Sequence, residues 1–292
     1  MKHDTTPIHL GRTAELNAAA SPACVIIIYG GDLGRRVALT NDITIGRDDD
    51  NAISLALHSI SRRHARLFRR DGVHYVEDLG STNGTSVNDH EISTPAALRN
   101  GDLIRCGAAV LKFIEGGNVE ALYHEEIYRL TITDGLTQVA NRRHFTDFLE
   151  REIARATRHD RPLSLLLFDV DEFKSVNDKL GHLAGDRVLQ GIASVTAKRV
   201  RRDELLARYG GDEFILVLPE ISIDEASIFA ERIRSEVETA AFDYDGESIN
   251  VTISLGAASL QRSDVMQSLI ARADEHLHEA KQQGRNRVVA LA

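Results

Sequence analysis

Two acidic stretches have the make-up of a phosphoryl-transfer site. Asp169-Val170-Asp171 follows the apolar run at 163–168, and Asp212-Glu213 sits in Arg208-Tyr209-Gly210-Gly211-Asp212-Glu213-Phe214. Carboxylates are hard oxygen ligands for magnesium, which usually keeps waters and substrate phosphates as its other ligands. A carboxylate at the end of a buried strand, opposite an acidic hairpin tip, is the arrangement of a two-metal phosphoryl-transfer site. For a bare Gly-Gly-Asp-Glu a solvated turn is the stronger reading. The second acidic stretch shifts the balance.

The elements that must carry these residues follow from local pattern. Apolar residues at 205–207 and 215–218 flank the glycine pair, so the segment reads as a β-hairpin. Paired glycines allow positive φ at the turn and close approach of backbone to a ligand. Residues 163–168 read as a buried strand ending at Asp169. Amphipathic helices are expected at 142–158, 186–200, 224–240 and 265–283, with a further helical stretch around Lys174, Asn177 and Asp178. Strands are expected at 249–255 and 287–290. Helices interleaved with strands around one hairpin fit a ferredoxin-like β-α-β-β-α-β core. That core serves several chemistries, so the site has to decide the function.

The remaining composition narrows the field. A length of 292 residues suggests two domains, and 42% apolar with 27% charged residues is globular. A formal charge of −9 argues against a polyanion-binding surface, so no nucleic-acid partner is expected. Cys24 and Cys106 have no pairing or metal-like spacing, which fits two buried thiols in a reducing compartment. The twelve histidines show no paired spacing. The first twenty residues lack a signal-peptide core, and the apolar runs are too short to cross a bilayer. A cytoplasmic location without membrane contact is expected.

Along the chain, residues 1–20 read as a flexible tail. Residues 21–115 alternate short β-rich runs with turn signals such as Asn83-Gly84 and Asn100-Gly101, the pattern of an all-β sandwich. Residues 116–133 read as a linker helix, with apolar positions at 119, 122, 123, 127 and 130. Either a solvated connector or a short dimerising helix fits it. Residues 134–292 form the second domain, of α/β (α+β) class.

Within the β-rich region, Gly46-Arg47, Ser61-Arg62-Arg63-His64 and Ser81-Thr82-Asn83-Gly84 resemble the forkhead-associated (FHA) family, modules that bind phosphothreonine peptides. Arg47 would form charge-assisted bonds to the phosphate, Ser61 would add a hydroxyl and Arg62 further positive charge. The resemblance gives Asn83 the peptide backbone, places Thr82 beside it, and has His64 and Gly46 shape the loops.

From Asp134 onward the chain resembles the GGDEF diguanylate cyclases, whose fold is akin to polymerase palms and nucleotidyl cyclases. The resemblance rests on the hairpin, on Asp134-Gly135-Leu136-Thr137 and on Ala280-Lys281-Gln282-Gln283-Gly284-Arg285-Asn286. It implies Asp169, Glu213 and the Val170 carbonyl as ligands of two Mg2+ (Mn2+ being an alternative), with Asp212 and Glu213 catalytic. Lys174, Lys281 and Arg285 would hold the triphosphate. Phe173, Asn177, Asp186, Gly210 and Gly211 would complete the GTP site, Asp186 accepting from guanine's ring N–H and amine. A polar site of this kind rejects an analogue that leaves its groups unpaired.

The implied reaction joins two GTP into cyclic di-GMP with release of pyrophosphate, and two domains must face each other, so a homodimer is expected. A catalytically degenerate GTP-sensing or phosphopeptide-binding adaptor is the alternative. A template-copying polymerase on the same palm is disfavoured by the acidic charge. Two positions depart from the family. Its product-inhibition motif Arg-x-x-Asp is Arg201-Arg202-Asp203-Glu204 here, which leaves feedback open, and an Ala-Leu-Tyr element is His276-Leu277-His278. Thr5 and Thr6, with Ile8 three residues after Thr5, are candidate phosphosites for a Ser/Thr kinase. An unmodified tail fits them equally well.

Overall fold

The computed structural model describes residues 22–31, 33–116 and 127–290. They divide into two compact units between Thr131 and Ile132. Among the described residues no helix is long and apolar enough to cross a membrane.

The first unit is a β-sandwich. One sheet has the order β2 (Arg36–Ala38), β1 (Cys24–Tyr29), β11 (Ala109–Ile114), β10 (Leu103–Cys106), β7 (Thr85–Val87), β8 (His90–Glu91). The other runs β4 (Ile53–Ser54), β3 (Ile43–Gly46), β5 (Ala65–Arg70), β6 (Val73–Asp78), β9 (Ala96–Ala97). Alternate residues such as Val25, Ile27, Ile45, Ala65, Leu67, Val76, Ile104 and Leu111 face inward and share one apolar core. Cys24 and Cys106 are both buried, and burial pushes the Cys106 thiol up to about 12. Of the expected linker helix, residues 127–132 are helical; the rest of that stretch lies outside the described residues.

The second unit has a sheet of order β13 (Leu205–Arg208), β14 (Glu213–Pro219), β12 (Leu163–Val170), β17 (Ile253–Ser259), β18 (Val288–Ala290). Four strands are antiparallel to their neighbours and β18 adds in parallel beside β17. All eight residues of β12 are buried because helices cover both faces. Leu166, Phe168 and Phe214 meet α3 (His182–Ala197) and α4 (Ile223–Thr239). Leu165, Leu167 and Ile215 meet α1 (Arg142–His159) and α5 (Met266–Gln282). The short α2 (Phe173–Leu180) follows the C-terminal end of β12. Helix α4 begins with a reciprocal Ser222/Glu225 capping box, which satisfies two otherwise orphaned N–H groups.

One expectation is corrected. Residues 249–255 are not a single strand. Ile249 ends β16 (Glu247–Ile249), which pairs with β15 (Phe242–Tyr244) in a separate hairpin turned at Asp245-Gly246, and β17 starts at Ile253. Both turn residues take positive φ, as a tight two-residue loop demands.

Candidate active site

Antiparallel register places Asp169 directly opposite Glu213 and next to Ser254 on its other side. Residues opposed on one face have Cβ atoms roughly 5 Å apart, so the two carboxylates cannot avoid each other. They lie on the face that carries Leu165, Leu167, Ile215 and Leu277. One turn beyond Leu277, Lys281 Nζ reaches Asp169 Oδ2 at 3.0 Å. Burial pushes the Asp169 carboxyl up to about 6; the Lys281 hydrogen bond opposes this, and the charges of Asp212 and Glu213 add to it.

Glycines in the hairpin act through contact rather than conformation. Neither Gly210 nor Gly211 has positive φ, contrary to expectation. A Cβ at Gly210 would come within 2.5 Å of Glu213 Oε2, whereas one at Gly211 would meet open space. Gly210 therefore makes room for the carboxylate. Tyr209 N–H donates to the Glu213 carbonyl at 2.9 Å and closes the turn. Arg208 grips it from outside, donating through Nε (3.0 Å) and Nη2 (2.6 Å) to the Gly211 carbonyl and through Nη1 (3.1 Å) to Asp134 Oδ1. Burial alone would raise the Asp134 carboxyl, but the Thr137 hydrogen bonds and Arg208 outweigh it and hold it below its usual range. The Asp134–Arg208 pair was not expected.

On the opposite side, Asn177 and Phe173 of α2 pack onto α3 at Gly185. A Cβ there would overlap Asn177 Oδ1. Gly185 thus lets α2 pack closely on α3, one residue before Asp186. Among the described residues Asn177 Oδ1 is buried with no hydrogen-bond partner. Lys174 is exposed on α2. Arg285 is exposed and lines an open cleft of about 620 Å3, shared with Asp171, Glu172 and Lys179.

Two family models match the chain. "Diguanylate cyclase, GGDEF domain" covers residues 131–287, more than half of it, and "FHA domain" covers residues 43–107. The chain belongs to the GGDEF family. Its GGDEF domain is 43% identical over 166 residues to response regulator PleD of Caulobacter vibrioides, covering 56% of this chain and 37% of PleD. It is 45% identical over 166 residues to diguanylate cyclase DosC of Escherichia coli (56% of this chain, 36% of DosC). With diguanylate cyclase DgcP of Pseudomonas aeruginosa it shares 37% over 164 residues, 24% of that protein. The chain thus spans 24–37% of the length of these relatives.

Among solved structures, the coiled coil and GGDEF domain of DgcB from Caulobacter crescentus, in complex with c-di-GMP, matches with a TM-score of 0.57 and 35% identity, covering 59% of this chain and 93% of that one. Diguanylate cyclase SiaD of Pseudomonas aeruginosa, in complex with its activator SiaC, matches at 0.56 and 35% (59% and 66%).

GGDEF cyclases are generally divalent-metal enzymes, and the donor set here fits such an ion. Among the described residues no three acidic, histidine or cysteine groups form a closed protein cage. Magnesium does not need one, since it is usually held by one or two carboxylates plus waters and phosphates.

The FHA domain carries its own cleft, about 610 Å3, lined by Arg47, Ser61, Arg62, Thr82 and Asn83, all five expected, together with His58 and Arg63, which were not. A Cβ on Gly46 would overlap the Arg62 carbonyl, so glycine lets β3 meet that loop. Arg47 N–H donates to the Ser61 carbonyl at 2.9 Å. His64 is fully buried; its Nδ1 accepts from Ser61 N–H at 3.2 Å, which leaves Nε2–H to donate to the Gly84 carbonyl at 3.0 Å. Thr82 N–H donates to Ser61 Oγ at 3.0 Å, and Asn83 Nδ2 to the Ser59 carbonyl at 2.8 Å.

Arg201 and Glu204 line a third cavity of about 380 Å3 with Arg232 and Phe229. The Glu204 side chain is only 5% exposed and accepts from Arg201 N–H at 2.7 Å. His278 is exposed and bonds to Gln282 on its own helix, while His276 takes the buried position, Nδ1 meeting the Ala257 carbonyl at 2.6 Å. Thr5 and Thr6 lie outside the described residues.

Proposed function

We propose that this protein is a diguanylate cyclase that makes cyclic di-GMP from two GTP, as a homodimer, under control of phosphothreonine binding at its FHA domain. The observation that carries the reading is the register pairing of Asp169 with Glu213, with Lys281 one hydrogen bond away. Asp169, Glu213 and the Val170 carbonyl would hold Mg2+, which would supply charge stabilisation to the triphosphate and the attacking ribose 3′-oxygen. Lys174, Lys281 and Arg285 neutralise phosphate oxygens as fixed positive charges. Asp212 stands beside the reacting groups. Lys281 is held by Asp169 in this structure and would exchange that partner for phosphate.

Asn177 and Asp186 orient the guanine. The buried, unpaired Asn177 Oδ1 costs less once a base N–H reaches it, which favours guanine over a base without that donor. One domain binds one GTP and the product joins two symmetrically, so catalysis requires two facing copies. Arg47, Ser61 and Asn83 would receive the phosphothreonine peptide from another protein or from the phosphorylated tail at Thr5 or Thr6. Arg201 with Glu204 is the proposed product site.

Pyrophosphate release from GTP and Mg2+ tests this reading. The initial rate should rise more steeply than linearly with protein concentration and vanish in the Asp212→Ala, Glu213→Ala variant. A strictly linear rate from a monomer, or an unaffected variant, would contradict it.

A further inference from the structure

Gly284, Arg285 and Asn286 follow the end of α5 with φ of 115°, 63° and 46°. Two of these three consecutive left-handed residues carry side chains, a conformation that persists only where the surroundings enforce it. Arg285 N–H is tied back to the Ala280 carbonyl at 3.1 Å. The outer grip falls on Asn286, which is held on both its backbone and its side chain. Its side chain accepts from Arg234 Nη1 at 2.6 Å and donates to Glu238 at 2.7 Å, both on α4. Its backbone N–H donates to Asp171 Oδ2 at 3.0 Å, across 115 residues of sequence.

Asp171 is 7% exposed and has no catalytic duty in the reading above. One of its hydrogen bonds reaches this turn, and the others hold it to Thr252 and Ser254. Its own N–H donates to the Thr252 carbonyl at 2.9 Å. Its carboxylate accepts from Thr252 Oγ1 (2.6 Å), Ser254 Oγ (2.7 Å) and the Asn286 N–H. Three donors converge on an acceptor-only group. The strand end that presents Asp169 is thereby tied, two residues on, to the turn that presents Arg285. Among the described residues, the Arg285 guanidinium itself makes no hydrogen bond or ion pair, so the backbone beneath it sets where it stands.

We propose that Asp171 is a positioning residue for triphosphate binding, fixing the strained 284–286 turn so that Arg285 is presented at a set place relative to Asp169. The inference rests on the assignment of Arg285 to the triphosphate. An asparagine at 171 keeps the shape but must donate where the carboxylate accepts, so the turn loses part of its anchor.

A double-mutant cycle on kcat/KM for GTP tests it, using the full chain with Asp171→Asn, Arg285→Ala and the pair. Contacting or coupled residues show non-additive effects, whereas independent ones add. Arg285→Ala and Asp171→Asn should each lower kcat/KM, the latter about tenfold, and the double variant should fall no further than Arg285→Ala alone. Losses that multiply, or a silent Asp171→Asn, would overturn the positioning role and leave the triphosphate assignment standing. A silent Arg285→Ala would overturn that assignment and the inference with it. If Asp171→Asn does not fold, Thr252→Val carries the same cycle, because it strips one donor from the oxygen that receives Asn286; about a threefold loss, absent in the Arg285→Ala background, is expected.

Discussion

In the FHA domain three arginines, Arg47, Arg62 and Arg63, line the cleft against one acid, Asp48, and the backbone around them is already bonded: Arg47 N–H to Ser61, His64 to Gly84, Thr82 to Ser61. In the GGDEF domain the corresponding groups are carboxylates, one of them buried and pushed up to about 6. The first thus carries a surplus of positive charge, whereas in the second a buried carboxylate faces two further acids and is offset by Lys281. A recognition site can be finished by the chain alone. A phosphoryl-transfer site is left incomplete, with stability given up to hold like charges together. Asp169 illustrates the cost: its native carboxyl binds a proton more tightly than an unfolded one, so its ionisation on raising pH from about 4 to 6 lowers stability.

The contrast can be broken most sharply at Glu213. Glu213→Gln keeps the size and removes the charge; turnover should fall by at least about 1,000-fold, while thermal unfolding stays the same or shifts upward. A lower melting temperature with retained turnover would reverse the proposed division of labour.

Arg47→Ala probes the other side. Removing the cation should weaken phosphothreonine peptide binding by about 2–5 kcal/mol in calorimetry, without changing turnover in the absence of peptide. Equal binding by the unphosphorylated peptide, or by the variant, would show that the cleft does not read phosphate.

Asp186→Ala should lower kcat/KM for GTP by roughly 10- to 100-fold, the worth of one or two charge-assisted hydrogen bonds, and narrow the preference for GTP over ATP. A uniform loss for both nucleotides would move Asp186 from reading the base to supporting the fold.

Asp264, at the end of α5 opposite Lys281, is a carboxylate in the ordinary situation. The Arg272 hydrogen bonds lead the causes that bring it down to about 2, with the ion pair at 2.5 Å. Its stabilisation is present above the unfolded value near 3.8 and is lost as pH falls through about 2. Asp264→Asn should therefore cost about 1–2 kcal/mol at neutral pH, allowing for partial screening at a pair whose carboxylate is 5% and guanidinium 25% exposed, and the deficit should shrink between pH 4 and 2 in denaturant titrations.

Much of this was legible in the residues because it rests on local pattern. A buried apolar run ending in Asp169 and an acidic hairpin at 208–214 lead to adjacent strand ends, and antiparallel register then brings Asp169 to Glu213. The FHA cleft follows from three loop motifs in order. The two-residue strands at 53–54, 90–91 and 96–97 are too short to show alternation; the β15–β16 hairpin went unread, and its last residue, Ile249, was joined to the next strand because Ile249, Val251 and Ile253 keep alternating across the break. Gly185 gave no signal of its packing role, because the expected helix began at 186 and a glycine just before it reads as a cap; the structure starts that helix at His182. Asp134–Arg208 and Asp171–Asn286 carried none, being 74 and 115 residues apart. Such pairs follow from topology, not from period.

The most direct test of the central claim is mass spectrometry of the products formed by the purified protein from GTP and Mg2+, run beside Glu213→Gln. Cyclic di-GMP from the wild-type chain and none from the variant is the predicted result. A folded protein that binds GTP yet yields no cyclic di-GMP even when dimerisation is enforced, or a variant that still makes it, would contradict the account.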